Sequence, residues 1–175
     1  ILRGWDLEED GDLPPVQIVE FDGGPALGAG VLTTLGLSTQ PLSVLRGGRS
    51  LRQELVLIFG GEVGGAEHFA GVLGDVAVDA MISGRALCPG DVIAPRDPIV
   101  SGGTVSGFYV AQPACFPESF GSCRREDGSL VLFAWLIPIT AREAEFVATH
   151  GSEALEDLIV DRQPDLQNFL RSDIV

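Results

Sequence analysis

The sequence predicts a single α+β domain, in which helices cover a mixed or mostly antiparallel sheet. Segments with the period of strands come first, a long amphipathic helix follows them, and further strands precede two closing helices. The 175 residues fall within the usual size of one domain, and 45% of them are apolar, which is enough for a sizeable core. The chain has no internal repeat and no Pro-, Gly- or Ser-rich linker that would divide it.

The first half of the chain is predicted to form three strands. They cover residues 16–21, 28–38 and 51–59. Side chains alternate with a period of two along a strand, so one face of the second strand carries Val31, Thr33, Leu35 and Leu37. The third strand ends in a continuous apolar run, which is typical of a buried strand. A loop is predicted over residues 41–50, and a glycine-rich turn over residues 60–65.

The clearest helix covers residues 66–83. Six apolar side chains follow the i, i+3, i+4, i+7 spacing and form one stripe, namely Phe69, Val72, Leu73, Val76, Ala80 and Met81. Gly71 and Gly74 each weaken the helix by about 1 kcal/mol relative to alanine. We therefore expect these two glycines to permit close packing on the sheet, and Gly84 to cap the end of the helix.

Short strands and loops are predicted after this helix. A turn at residues 89–91 precedes a short strand at 92–94, and a longer strand covers 105–111 and ends before Pro113. Residues 116–127 are predicted as a loop that contains two adjacent arginines.

The last part of the chain carries the strongest local signal. A buried strand over residues 130–139 leads to Thr140 and Glu143, which have the spacing of a capping box. In this arrangement the threonine oxygen accepts a hydrogen bond from the glutamate amide, and the glutamate accepts one from the threonine amide. The helix is predicted to end at His150, with Gly151 in the left-handed conformation. A final helix covers residues 152–161, and an irregular tail begins at Pro164.

The formal net charge of −14 restricts the class of partner, and every basic residue is an arginine. Nucleic acid is disfavoured because phosphate repels an acidic surface and no basic stripe is present. Anionic membranes are disfavoured for the same reason, whereas a cationic protein would be steered towards the chain. Surface acidity also keeps proteins soluble, so the charge alone does not identify a partner.

The three cysteines are Cys88, Cys115 and Cys123, an odd number without paired spacing. This pattern favours a reducing, cytoplasmic environment, although a bridge between Cys115 and Cys123 stays open. The chain has no Cys/His cluster, P-loop or dinucleotide fingerprint, so neither a metal nor a cofactor is predicted. No apolar run approaches the ~20 residues of a membrane span.

The two histidines are the candidates for acid–base catalysis. His150 lies at a predicted helix C-terminus, where capping or packing is the more common role. His68 lies in the first turn of a helix beside Glu67, outside any zinc-binding motif. A small hydrolase-type enzyme that uses His150 or His68 with nearby carboxylates is therefore an alternative function rather than the main hypothesis.

Four patches of the sequence occur in the order and spacing of a known family. They are T-L-G-L-S at residues 34–38, R-Q-E-L-V-L at 52–57, the turn at 84–91, and L-I-P-I-T-x-x-E-x-x-F-x-x-x-H-G-x-x-x-L at 136–155, with Arg171-Ser172 closing the domain. Together they span most of the chain. The sequence thereby resembles the suppressor of fused family, and specifically its bacterial single-domain members.

The resemblance implies a protein-binding domain without enzymatic activity. Bacterial members of the family are thought to act as immunity proteins, which neutralise a toxin encoded nearby. The two-domain animal member clamps an extended peptide of a transcription factor, but no peptide-contacting residue is carried over to this sequence. The matched residues Pro138, Thr140, Glu143 and Gly151 are interpreted as structural, because they form a strand-to-helix junction.

The main hypothesis is therefore an immunity protein that binds a cognate, basic toxin domain. We divide the chain into an acidic N-terminal segment at residues 1–13 and a suppressor-of-fused-like domain at residues 14–175. The candidate partner-binding residues are the carboxylates of that segment, namely Asp6, Glu8, Glu9, Asp10 and Asp12. An exposed strand edge is a second candidate surface. A structural domain within a larger assembly is the remaining alternative.

Overall fold

The computed structural model describes residues 2–7, 14–21, 24–25, 28–45, 48–60, 64–94 and 97–175. Within these residues the chain forms nine strands and three α-helices. The strands are β1 Arg3–Asp6, β2 Gln17–Phe21, β3 Ala29–Leu35, β4 Leu42–Ser43, β5 Ser50–Gly60, β6 Val92–Ile93, β7 Val105–Ala111, β8 Ser122–Arg124 and β9 Leu130–Thr140. The helices are α1 Gly65–Ser83, α2 Ala141–His150 and α3 Ser152–Arg162.

The strands form one open, mixed sheet. Its main order is β1-β2-β3-β5-β9-β7-β6, with β4 paired to β5 and β8 paired to β9. The two central strands, β5 and β9, are parallel, whereas the other pairs are antiparallel. A parallel pair needs a long crossover connection, and α1 is the helical part of this one. The predicted α+β class, with a mixed and mostly antiparallel sheet in a single domain, is confirmed.

Helices cover both faces of the sheet, so the central strands are buried on both sides. On one face α1 packs Phe69 and Leu73 into the same cluster as Leu55 of β5. On the other face, Leu155 of α3 lies in a cluster with Ile58 of β5. Alternate residues of β5 thus pack into two different hydrophobic cores, one on each face of the sheet. This explains why the strand is continuously apolar at its end rather than alternating.

The structure corrects the predicted face of β3. The strand ends at Leu35, which is 52% exposed, and Gly36 follows with a φ of 115°. Leu37 lies beyond the strand, in a 3-10 helix at Leu37–Thr39. Leu32, which belongs to the opposite face, is fully buried. Since β3 is covered on both sides, a period of two does not separate its buried side chains from exposed ones.

Three segments predicted as irregular contain regular structure. β1 lies in the N-terminal segment, which we expected to be solvated, and β4 lies in the loop predicted at 41–50. The loop predicted at 116–127 contains a 3-10 helix, Glu118–Gly121, and β8. These strands have two to four residues each, which is too short for a readable period. Each is held by pairing with another strand. Part of the turn predicted at 60–65 lies outside the described residues.

The helix α1 has the predicted length, and its two internal glycines differ in role. A Cβ atom on Gly74 would lie 2.6 Å from Cδ2 of Leu7, so this glycine permits close packing of the segment after β1. A Cβ atom on Gly71 would meet no atom within 4 Å, so the packing role predicted for that glycine is wrong. Gly84 caps the helix as predicted, with a φ of 62° and its N–H donating to the Met81 carbonyl at 3.2 Å.

The capping box of α2 is confirmed, and it belongs to a larger buried network around Glu143. Thr140 Oγ1 accepts from the Glu143 N–H at 3.2 Å, and Glu143 Oε2 accepts from the Thr140 N–H at 2.9 Å. Arg171 donates to the two carboxylate oxygens at 2.6 and 2.7 Å and to the Pro138 carbonyl at 2.8 Å. The Ile174 N–H donates to Glu143 Oε1 at 3.0 Å. Glu143 is completely buried, and this network satisfies its charge.

The end of α2 differs in one detail from the prediction. The helix stops at His150, and the Gly151 N–H donates to the Val147 carbonyl at 2.8 Å. Gly151 has a φ of 88° but a ψ of 166°, which lies outside the predicted left-handed helical region. The same glycine precedes the first residue of α3, and its φ and ψ, which are essentially open only to glycine, turn the chain from one helix into the next.

The Glu143–Arg171 pair should be far more important for stability than the exposed pair beside it. Replacing Arg171 by leucine leaves the Glu143 carboxylate buried without its partner, so we expect Arg171→Leu to lower the free energy of unfolding by about 3–5 kcal/mol. Arg142→Leu removes only the surface pair between Arg142 and Asp173, at 3.2 Å, and serves as the control. We expect it to cost less than about 1 kcal/mol. Urea denaturation followed by circular dichroism measures both values, and equal losses would contradict the assigned role of the network.

The two glycines of α1 should respond differently to alanine. Gly71→Ala is expected to raise the free energy of unfolding by about 0.5–1 kcal/mol, because the position is helical and open. Gly74→Ala gains the same helix propensity, but its methyl group displaces the end of the Leu7 side chain, so we expect a smaller gain in stability than at Gly71. Thermal unfolding of both variants tests this contrast. Equal gains at the two positions would show that the Leu7 side chain moves aside without cost.

Candidate functional site

The two candidate catalytic histidines are bound to backbone carbonyl groups. The structure places His68 Nε2 at 2.7 Å from the Ile99 carbonyl oxygen, with its ring edge-on to Phe69. His150 Nδ1 lies 3.3 Å from the carbonyl oxygen of Phe146, and the two rings stack at 4.3 Å between centroids. His150 therefore has the capping or packing role that the sequence favoured, and His68 likewise contacts a backbone carbonyl and an aromatic ring. None of these contacts joins either histidine to a carboxylate.

The cysteines and carboxylates do not form a metal site in the part of the chain that the structure describes, where no three His, Cys, Asp or Glu side chains cluster suitably. Cys88, Cys115 and Cys123 are free thiols. Burial, and then the nearby Asp91 carboxylate, raise the pKa of the Cys88 thiol above its usual value. Cys88 is therefore protonated at neutral pH and is not an activated nucleophile. Among the described helices, none is long and apolar enough to cross a membrane.

Of the five predicted partner-binding carboxylates, Asp6 is the one within the described residues. It ends the edge strand β1, is exposed, and accepts a hydrogen bond from Gln17 Nε2 at 2.6 Å. The other four lie outside the described residues, namely Glu8, Glu9, Asp10 and Asp12. The role of all five in binding stays a prediction.

The first two family-like patches are joined by a buried carboxylate. Glu54 of β5 is 5% exposed, and its Oε1 accepts from the N–H groups of Gly36 and Ser38, both at 3.1 Å. Its Oε2 accepts from the Thr34 hydroxyl at 2.6 Å, and Thr34 Oγ1 accepts in turn from the Leu55 N–H at 2.8 Å. This Glu54 network fixes the turn after β3 against the central strand, so the two patches are structural.

Arginine side chains hold the same turn from outside. Arg52 Nη1 donates to the carbonyls of Ser38 and Thr39 at 2.7 and 2.6 Å, and Arg125 Nη1 donates to the Ser38 carbonyl at 3.1 Å. Arg125 belongs to the segment between β8 and β9. The turn after β3 is therefore tied both to β5 and to the connection that leads into β9.

A cleft of about 650 Å³ lies at the end of the sheet where β5 and β9 begin and β7 ends. Its walls are mainly apolar and include Leu51, Leu87, Pro113, Phe116, Leu132 and Ala134. Neither histidine lines it. The volume lies within the range of about 300–1,000 Å³ that is typical of ligand pockets, and apolar walls with a few polar groups are typical as well.

An interruption in the sheet helps to form this cleft. The ladder between β7 and β9 ends where Ala111 pairs with Trp135, and the ladder between β8 and β9 begins where Ser122 pairs with Leu132. Residues 133–134 of β9 lie between the two ladders, and both line the cleft. The connection at 112–121 joins β7 to β8 at this point, and seven of its residues line the cleft.

The side-chain amide of Gln53 has a hydrogen-bond donor without an acceptor in the described part of the chain. The residue is 1% exposed and lines the cleft. Its Oε1 accepts from the Leu87 N–H at 3.0 Å, whereas Nε2 has no hydrogen-bond partner among the described residues. A buried donor without an acceptor costs about 1–3 kcal/mol. The cleft therefore favours a group that is apolar and carries a hydrogen-bond acceptor.

Sequence reasoning missed this cleft because its walls come from distant segments of the chain. The residues around β5, the turn after α1, the 112–121 connection and the start of β9 meet only in the folded sheet. One local signal was present: Gln53 is an uncharged polar residue two positions before a continuous apolar run in a strand predicted to be buried. Such a residue needs hydrogen-bond partners, which makes it a candidate for a functional site.

These features define an α+β domain with a mixed sheet between two helical layers and an apolar cleft at one end of the sheet. The sequence profile described as Suppressor of fused protein (SUFU) matches residues 12–171. The chain belongs to the suppressor of fused family. A comparison with curated proteins found no match.

Solved structures share the fold. A protein described as a suppressor of fused homologue from Neisseria gonorrhoeae FA 1090 matches with a TM-score of 0.77 and 20% identity, over 99% of this chain and 87% of that one. A chain from the crystal structure of the Sufu–Fu complex matches with a TM-score of 0.64 and 15% identity, over 91% of this chain and 74% of that one. Drosophila Suppressor of Fused also gives a TM-score of 0.64, at 14% identity, over 91% of this chain and 42% of that protein.

The hydroxyl of Thr34 should be essential to the Glu54 network. Thr34→Val keeps the shape and strand propensity of the side chain but leaves the Leu55 N–H without an acceptor. We expect this variant to lose about 1–3 kcal/mol of unfolding free energy. Thr39→Val is the matched control, because Thr39 is exposed and its hydroxyl donates only to the Gly36 carbonyl. Denaturant titration measures the free energy of unfolding of both variants. If Thr34→Val has the same free energy of unfolding as the native chain, the Glu54 network is not needed for stability.

Proposed function

We propose that this chain is a non-enzymatic protein-binding domain that acts as an immunity protein and neutralises a cognate toxin by direct binding. The observation that carries the protein-binding part is the shared fold with a chain from the Sufu–Fu complex, in which a relative is bound to a protein. The apolar cleft of about 650 Å³ supports the same reading, since it offers a pocket without an assembled acid–base pair.

The charge of the chain supports a basic partner. The net charge is −14, and acidic side chains are exposed at separate places on the surface. Asp6 lies on the edge strand β1, while Glu153, Asp157 and Asp161 are exposed on α3. A basic toxin domain would be attracted to such a surface, so association would be fast at low salt and slower as salt rises.

The hydrolase alternative receives no support from the described residues. The contacts of His68 and His150 go to main-chain carbonyls and aromatic rings, and neither histidine opens onto the cleft. We therefore propose no second function.

Calorimetry with the purified products of the genes encoded beside this one tests the proposal. We expect one basic product to bind at a ratio of one to one, and the chain to abolish the toxicity of that product in cells. The affinity should fall by about tenfold or more when the ionic strength rises from low to physiological values, because exposed charges are screened. If no neighbouring product binds, or if one binds and stays toxic, the immunity proposal is wrong.

Charge-neutralising variants test which acidic surface takes part. The triple variant Glu8→Gln, Glu9→Gln and Asp10→Asn removes three charges from the N-terminal segment. A matched triple variant, Glu153→Gln, Asp157→Asn and Asp161→Asn, removes three from α3. We expect the first variant to weaken toxin binding more than the second. The reverse order would move the contact surface to α3 and refute the predicted role of the N-terminal carboxylates.

A further inference from the structure

We propose that the cleft at the start of β5 and β9 receives an apolar segment of a basic protein partner, with a main-chain carbonyl of that segment accepting a hydrogen bond from Gln53 Nε2. This inference rests on the proposed protein-binding function and names the surface and the chemistry of its partner. The space of about 650 Å³ exceeds what one side chain fills and suits a drug-sized group.

The hydrogen bond from Leu87 fixes which end of the Gln53 amide is available. Because the Leu87 N–H needs an acceptor, it holds Oε1 of Gln53, and Nε2 remains as a donor without a partner among the described residues. The side chain is 1% exposed, so it cannot turn freely into solvent to satisfy this donor. Gln53 lines the cleft, so a small shift of its side chain when a ligand enters would bring Nε2 within hydrogen-bond distance of a carbonyl oxygen.

The charges around the cleft favour a neutral acceptor over a carboxylate. No arginine is among the residues that line the cleft in the described structure. Glu118 lines it, and Asp91 Oδ2 accepts from the N–H of the lining residue Cys88 at 2.8 Å. Arg85 also acts on Cys88, but its effect is smaller than that of Asp91. A carboxylate placed here would be repelled, whereas a basic side chain next to the apolar segment would be attracted to Glu118.

The geometry indicates side-chain insertion rather than the addition of a strand. Only residues 133–134 of β9 lie between the ladders formed with β7 and β8, and two residues are too few to pair with a new strand. Leu132 lines the cleft and is 37% exposed although it is large and apolar. An inserted apolar side chain would cover it and would also meet Phe116, another lining residue.

The test uses a displayed library of random peptides of about seven residues, selected on the purified full chain. Ala114 is exposed and lines the cleft, so Ala114→Trp fills the space from its rim without altering the core. Ala148→Trp adds the same side chain on the exposed surface of α2, away from the cleft, and is the matched control. Urea denaturation confirms that both variants fold.

We expect selected peptides to contain adjacent apolar residues with a basic neighbour. Their affinity should fall by about tenfold or more in Ala114→Trp and by less than about twofold in Ala148→Trp. In ¹⁵N-resolved NMR spectra, bound peptide should shift the side-chain amide signals of Gln53. A neighbouring gene product that binds the chain should lose affinity for Ala114→Trp in the same way.

Several outcomes would overturn the proposal and leave the protein-binding function intact. Peptides or a toxin that bind Ala114→Trp as tightly as the native chain would place the contact surface elsewhere. Self-association of the native chain that Ala114→Trp abolishes would assign the cleft to a second copy. A small molecule released from the native chain but not from Ala114→Trp, found by mass spectrometry, would assign it to that molecule. Conversely, a further outcome is that peptides bind in the cleft while no neighbouring gene product binds the chain. That result would support the cleft as the binding site and refute only the immunity role.

Discussion

The buried carboxylate of Glu143 is the constraint on which the arrangement of the C-terminal half depends. It accepts hydrogen bonds from the start of α2, from Arg171 and from the backbone of Ile174. Burying such an ion pair is costly, and it is not by itself a source of net stability. What it provides is a single preferred arrangement in which both carboxylate oxygens are hydrogen-bonded, since any shift of Glu143 or Arg171 would leave a charge in the core without compensation.

This constraint gives the irregular tail a defined path. Residues after α3 have no regular secondary structure, yet they connect the two cores of the protein. Phe169 packs against Phe69 of α1 on one face of the sheet, with ring centroids 4.5 Å apart, while Ile174 belongs to the core on the other face. The Gly60 N–H at the end of β5 also donates to the carbonyl of Gln167, at 2.9 Å. Arg171 lies between these contacts, so its pairing with Glu143 holds the tail where it passes the ends of the central strands β5 and β9.

The sequence predicted those features that are encoded locally. The capping box needs residues only three apart, and the strand at 105–111 and the helix α1 have strong periods over many residues. The features that were missed depend on distant parts of the chain. Glu143 and Arg171 are 28 residues apart, and both stood in the family-like patches without any local sign that they pair. β4 and β8 are strands because they pair with β5 and β9, and the buried face of β3 depends on layers that other elements supply.

The two faces of β5 separate the structural residues from the cleft. Glu54 holds the turn after β3, whereas its neighbour Gln53 points to the opposite face by the alternation of a strand, and there it lines the cleft. The same family-like patch thus contains a residue whose polar atoms are fully used within the fold and one that keeps an unused donor.

For a binding protein this division has a physical consequence. Exposed acidic side chains act over a distance of about 8 Å at physiological salt and mainly accelerate encounter. A desolvated pocket with an unpaired donor acts only at contact, where it discriminates between partners by the acceptor they carry. Charge and cleft would therefore govern different steps, the first the rate of association and the second the specificity of the complex.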